Sequence, residues 1–238
     1  DNHQYIWLGW AEGYEEGIVQ TNQYLIIDKG KGILLDPGGV HLFSKVVSEI
    51  TKYIELENID KIFYSHQDPD VSSGIALWLG ITPAKVYMSS LWLRFIPHFG
   101  IVDMKRMVGI PDSGLDINLE SGRKLKLVPS HFLHSTGNFT AYDEASKILF
   151  SGDIGAAVFD GDNQYLFVEN FNEHLKIMEG FHKRYMSSNS VCRKWVKRVQ
   201  AYQIDMIAPQ HGAIFKEENT KKFLDWFGNL KCGIDLLD

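Results

Sequence analysis

Ile62-Phe63-Tyr64-Ser65-His66-Gln67-Asp68-Pro69-Asp70 is the stretch on which the reading turns. Ile62-Phe63-Tyr64 is an apolar run that suits a buried strand. Ser72-Ser73-Gly74-Ile75-Ala76-Leu77-Trp78 then reads as the start of a helix. Between them, His66, Asp68 and Asp70 alternate on a loop that leaves a strand end. Loops of this kind carry function because the scaffold holds them while they supply the reacting groups. One imidazole and two hard oxygen donors within five residues suit iron or manganese at least as well as zinc.

Reading outward, the same grammar recurs. Tyr5–Leu8 and Gly17–Gln20 read as short strands. Gln23–Asp28 and Ile33–Asp36 form a hairpin about the Lys29–Gly32 turn. Leu42, Val46, Val47, Ile50 and Tyr53 recur at helical spacing and predict an amphipathic helix over 41–54. Strands are expected at Lys61–Tyr64, Lys85–Met88 and Lys124–Val128, as a hairpin at Phe139–Tyr142 and Ile148–Phe150, and at Ile204–Ala208. Helices are expected over 171–183, 187–201 and 216–228. His134, Asp153 and His211 each follow one of these strands, as His66 does. Strand-end loops gather along one edge of a sheet, so the six side chains can meet. Three imidazoles and three carboxylates are the inventory for two cations bridged by one carboxylate.

The chain has 238 residues, a formal charge of -6, 45% hydrophobic and 23% charged residues. No linker or composition shift divides it, so residues 1–238 are expected to form a single domain. The negative balance argues against nucleic acid or an anionic membrane surface as partner. No apolar run approaches a membrane span. Two cysteines, Cys192 and Cys232, form no C-x-x-C motif and read as ordinary thiols. Few cysteines and no signal peptide suggest the cytoplasm.

In order along the chain come the hairpin ending Leu34-Leu35-Asp36-Pro37-Gly38, the His66-x-Asp68-x-Asp70 loop and His134 after Val128-Pro129. Phe150-Ser151-Gly152-Asp153 and Ile207-Ala208-Pro209-Gln210-His211-Gly212 follow. This order resembles the metallo-β-lactamase superfamily, and within it the diiron domain of flavodiiron proteins, which reduce dioxygen or nitric oxide. The resemblance implies an α/β, four-layer αββα sandwich. It implies one iron held by His66, Asp68 and His134, a second by Asp70 and His211, and Asp153 as the bridge.

Three features depart from the flavodiiron pattern. Asp68 stands where Glu is usual and shortens the ligand's reach. Val71 replaces a His directly after the second carboxylate, leaving the second iron with more open positions. A flavodoxin-like domain with FMN, which flavodiiron proteins carry after the metal domain, is not expected here. That combination looks like the stand-alone oxygen-binding diiron proteins of bacterial chemotaxis. The resemblance therefore implies a non-haem diiron protein that binds dioxygen as an oxygen or iron sensor and works with a signalling protein. One alternative is an oxygen or nitric oxide reductase, an oxidoreductase fed by a separate redox partner. The other is a zinc hydrolase, which Asp68 argues against because zinc hydrolases place nitrogen there. A homodimer is compatible with all three.

Competing uses of the same residues stand beside these. Asp70 also suits a helix cap. His131 competes with His134, and the spacing to the next strand favours His134. His3, His41, His98, His174 and His182 read as surface or capping histidines. Trp92, Phe95, Phe99, Met104 and Met107 read as core, with a wall over the metal pocket as the functional alternative. Arg193-Lys194-Lys197-Arg198 reads as a solvated helix face.

Overall fold

The computed structural model describes residues 2–9, 19–101, 104–159 and 163–237. Among the described residues, twelve strands form two six-stranded sheets. The first contains, in spatial order, β1 (His3–Trp7), β2 (Tyr24–Asp28), β3 (Lys31–Leu35), β4 (Ile59–Phe63), β5 (Lys85–Ser89) and β6 (Met107–Ile110). The second runs from β7 (Leu115–Asn118) through β8 (Lys124–Pro129), β9 (Phe139–Asp143), β10 (Ile148–Gly152) and β11 (Met206–Pro209) to β12 (Phe215–Lys216). Helices α1 (Phe43–Ile50), α2 (Pro69–Ser72) and α3 (Ile75–Ile81) belong to the first half. Helices α4 (Phe171–Tyr185), α5 (Asn189–Val199) and α6 (Glu218–Asn229) belong to the second.

The strand periodicity of two explains the layering. In β2, Tyr24 and Ile26 enter a core between the sheets, beside Phe63, Phe139 and Phe150. Leu25, one position out of phase, faces the opposite way and packs with Val46, Ile50 and Trp78 of α1 and α3. The second sheet does the same. Leu125 and Leu127 face inward, while Val128, Leu149 and Ile207 meet Trp195, Phe223 and Phe227 on the helices. Three cores between four layers make the αββα sandwich. Burying side chains of this size contributes about 1.5–3 kcal/mol each.

The β2–β3 hairpin closes through Lys29 and Gly30, with φ of 48° and 83°. Two consecutive positive φ values are what a tight hairpin turn matching strand twist requires, and glycine adopts them freely.

Strands β3, β4, β5 and β6 pair in parallel, as do β10 and β11. β8 is antiparallel to β9, and β9 to β10, so β8 runs with β10. The carboxyl ends of β4, β8, β10 and β11 therefore share one rim.

Several expectations are corrected. The helix expected over 41–54 divides into a 3-10 turn at Val40–Leu42, the short α1 and irregular turns beyond it. The region before Ile110 holds a 3-10 segment, Leu93–Phe99, and the edge strand β6. Strands β7 and β12 were not anticipated, being short strands at the sheet edge. Of the strand expected at 17–20, Gly17 and Ile18 lie outside the described residues, and Val19 and Gln20 are irregular. Cys192 and Cys232 are buried free thiols with sulfurs 3.7 Å apart. Among the described residues, no helix is long and apolar enough to cross a membrane.

Candidate metal centre

All six side chains singled out from the sequence meet at the shared rim. His66 follows β4 and is buried. Asp68 occupies the residue before α2 and Asp70 lies in its first turn, which Pro69 opens. Pro at that position suits a helix start because its missing N–H would have no partner there. Asp68 makes no capping hydrogen bond to its helix. The carboxylate of Asp70 faces His211 instead. His134 has φ of 73°, a left-handed backbone that turns its ring inward from the loop after β8.

Two groups of donors lie side by side. In the first, His134 Nε2 is 2.8 Å from Asp68 Oδ2, and His66 Nε2 is 3.7 Å from the same oxygen. The donor atoms of His66, Asp68 and His134 all fall within 4.8 Å of one another. In the second, His211 Nε2 is 3.2 Å from Asp70 Oδ2. Asp153 divides its carboxylate between them. Its Oδ2 is 3.8 Å from His66 Nε2 and 3.6 Å from His134 Nε2, while Oδ1 is 3.5 Å from His211 Nε2. A cation with bonds of about 2.0–2.2 Å holds its ligand atoms roughly 3.0–3.5 Å apart, close to these separations.

The residues pass a further test of fit. His66 Nε2 and Asp153 Oδ1 are buried and make no hydrogen bond among the described residues. Buried polar atoms are costly when unpaired, so such atoms aimed at one point call for a ligand. The outer nitrogens of His66 and His211 are already engaged. His211 Nδ1 donates to the carbonyl of Gln20 at 2.8 Å. Ser65 Oγ donates to Asp36 Oδ2 at 2.5 Å and accepts from His66 Nδ1 at 2.8 Å. Each contact leaves Nε2 as the free lone pair, the arrangement that orients an imidazole toward a metal.

Electrostatics agree. Burial disfavours charge on His66, but Asp153, Asp68 and Asp36 outweigh it and push its pKa up to about 9. His211 is pushed up to about 9 against the same burial, by Asp153 and Asp70. Burial would raise Asp68, yet His134 and His66 hold its carboxyl well below the usual carboxylate range. His211 likewise lowers Asp70 against its burial. Behind the site, burial pushes Asp36 up to about 7.

These shifts carry a pH dependence. Raised histidine values mean that the ion pairs stabilise the cation-free fold below about pH 6.5, and that this contribution fades as pH passes about 9. A cation must displace those protons. Cation affinity is therefore expected to weaken steadily as pH falls from about 9 to 6, as competition with a chromophoric chelator across that range would measure.

Gly152, beside Asp153, has φ of 56°, and a Cβ there would approach Ser65 Oγ at 3.0 Å. A glycine is thus favoured where the β10 turn passes the hydroxyl that supports His66.

Other expectations fare differently. His131 hydrogen-bonds the carbonyl of Asp112, away from the centre. Val71 is fully buried in the core under α2, so the position after Asp70 faces away from the centre. His41 and His98 are exposed. His174 and His182 are fully buried and not on the surface, and burial pushes both down to about 4. His3 is no surface residue either: it bridges Asp28 and Asp143. Trp92, Phe99, Met104 and Met107 pack against the first-sheet core. The rings that border the centre are Phe181 and Tyr185 of α4, with centroids 5.7 and 5.3 Å from that of His134. Nothing in the local sequence marks them, since only α4 packing on the rim brings them there.

The family model described as ODP family beta lactamase matches residues 19–212. The chain belongs to this family. It is similar to a structure described as "Peroxy diiron species of chemotaxis sensor ODP", at 59% identity and a TM-score of 0.90, over 99% of this chain and 94% of that one. The apo state of the chemotaxis sensor ODP from T. denticola matches at 55% identity and a TM-score of 0.86, over 99% and 98%. A flavo-diiron protein of Clostridium acetobutylicum is 27% identical over 83% of this chain and 50% of its own length. The chain spans about half the length of the curated relatives it matches.

Proposed function

We propose that this ODP-family chain is a non-haem diiron protein that binds dioxygen and acts as an oxygen or iron sensor in signalling. The observation that carries the proposal is Asp153, whose two oxygens address two separate donor groups. His66, Asp68 and His134 would hold one iron, Asp70 and His211 the other, with Asp153 shared. The likeness to the chemotaxis sensor ODP at 59% identity supports iron and dioxygen as the ligands.

Iron held by these six residues would supply redox chemistry toward dioxygen. The chain's own residues do the rest. Three carboxylates offset the cations' charge, and three neutral imidazoles hold position without adding any. Val71, turned into the core, donates nothing, so the Asp70–His211 side keeps more open positions. Phe181 and Tyr185 stack at 4.8 Å and border the centre beside His134. The partner is a signalling protein; a separate redox partner belongs to the reductase alternative.

The test is anaerobic loading followed by stopped-flow mixing with oxygen. Two irons per chain and a long-lived visible absorption band are expected. A single bound cation, two zinc ions retained in place of iron, or immediate turnover without added reductase would overturn the sensor reading.

A further inference from the structure

Gln67 lies between two of the metal-site residues and is not one of them. Its Nε2 donates to Asp68 Oδ1 at 2.9 Å, and its Oε1 accepts from Ser135 Oγ at 2.7 Å. The orientation of the amide follows from chemistry. An ionised carboxylate only accepts, so the NH2 must face Asp68 and the carbonyl must face the serine hydroxyl. The two oxygens of Asp68 therefore have different surroundings. Oδ1 is tied to Gln67, and Oδ2 faces His134 Nε2 and His66 Nε2.

We infer that Gln67 is a positioning residue that holds Asp68 as a one-oxygen ligand, with Ser135 fixing the amide that does so. The inference rests on the diiron reading above. Its physical basis is reach. Asp68 is one methylene shorter than a glutamate, so it meets a cation only over a narrow range of rotation about its terminal bond. A hydrogen bond to one oxygen confines that rotation and keeps the other oxygen aimed at the imidazoles. Ser135 also follows His134 directly. The Asp68–Gln67–Ser135 chain thus spans the two loops, after β4 and after β8, that carry His66, Asp68 and His134. Outer contacts of this kind are worth about 10- to 100-fold in metal affinity.

Gln67→Met keeps the side-chain volume and removes both polar ends. Ser135→Ala removes only the hydroxyl, and Ser135→Thr retains one. Each full-length variant is titrated with ferrous iron under anaerobic competition with a chromophoric chelator, and with Co2+, whose visible spectrum reports coordination geometry. Gln67→Met is expected to bind the tighter first cation about 10- to 100-fold more weakly and to alter the Co2+ spectrum. Ser135→Ala shifts both in the same direction by less, and Ser135→Thr restores wild-type behaviour. Circular dichroism of the cation-free proteins stays unchanged. Wild-type affinity and an unchanged Co2+ spectrum in Gln67→Met and Ser135→Ala would overturn the inference while leaving the diiron reading intact. A wild type that takes up fewer than two cations would overturn that reading, and the role of Gln67 with it.

Discussion

Asp153→Ala is expected to take the protein from two bound cations to one at most, with affinity lowered at least about 100-fold at the remaining position. Asp153 is 5% exposed, and its carboxylate stands within 4 Å of His66, His134 and His211 together. Its loss removes a ligand from both donor groups at once. It also removes the leading influence that raises the pKa of His66 and of His211. The cation-free variant therefore gives up two favourable ion pairs, while its imidazoles become easier to deprotonate. That second effect favours metal binding, but a proton worth one pKa unit is about 1.4 kcal/mol, too little to replace a shared ligand. Asp153→Asn, which keeps one carbonyl oxygen, should retain more of the first cation than the second. Metal analysis after desalting, with circular dichroism to confirm folding, decides it: two tightly held cations in the alanine variant would remove Asp153 from the centre.

His3→Ala is expected to destabilise the fold by about 2–3 kcal/mol, less than a fully enclosed ion pair because β1 is an edge strand. His3 Nδ1 is 2.9 Å from Asp28 Oδ1 and Nε2 is 2.7 Å from Asp143 Oδ2. One imidazole thereby ties β1 and β2 of the first sheet to β9 of the second, at the end opposite the metal centre. Removing it leaves the Asp28 and Asp143 carboxylates, 3% and 0% exposed, facing each other without a cation. Burial opposes charge on His3, and hydrogen bonds to Asp143 and Asp28 raise its pKa overall. The stabilisation is thus complete below about pH 6.5 and disappears as pH rises through the raised value. Urea unfolding at pH 6 and at pH 9 should show a large gap between wild type and variant at the lower pH and a smaller one at the higher. An equal gap at both would mean that the contact is held by packing and not by charge.

His3 also shows where local reading fails. Nothing near residue 3 in the chain reveals that Asp28 and Asp143 will close on it, because the partners are 25 and 140 positions away. His174 and His182 fail for a related reason. Their helix is amphipathic, and a polar residue on its inward face looks, in sequence, like one on its outward face. His182 is accommodated by accepting from the Gly155 N–H at 2.9 Å and donating to the Met178 carbonyl. Trp92, Phe99, Met104 and Met107 pack on the core as expected, while the rings beside His134 are Phe181 and Tyr185, since helix docking rather than composition chooses which rings reach the rim.

The six donors that meet at the rim were legible for the opposite reason. Each lies within a few residues of a strand end whose apolar run is plain, and each sits in a short motif with little freedom of placement. Parallel pairing of β4, and of β10 with β11, then obliges those ends to converge.

From the chain alone came the alternating apolar runs, the six donors and their positions at strand ends, and with them the sandwich and the expectation of a paired cation site. Tertiary structure alone decided how the donors divide, with Asp153 between two groups, Val71 turned away and Gln67 bracing Asp68. Periodicity is a local property of covalent geometry, so it can be read from order along the chain. Which oxygen faces which nitrogen depends on two sheets meeting face to face, and no single segment contains that information.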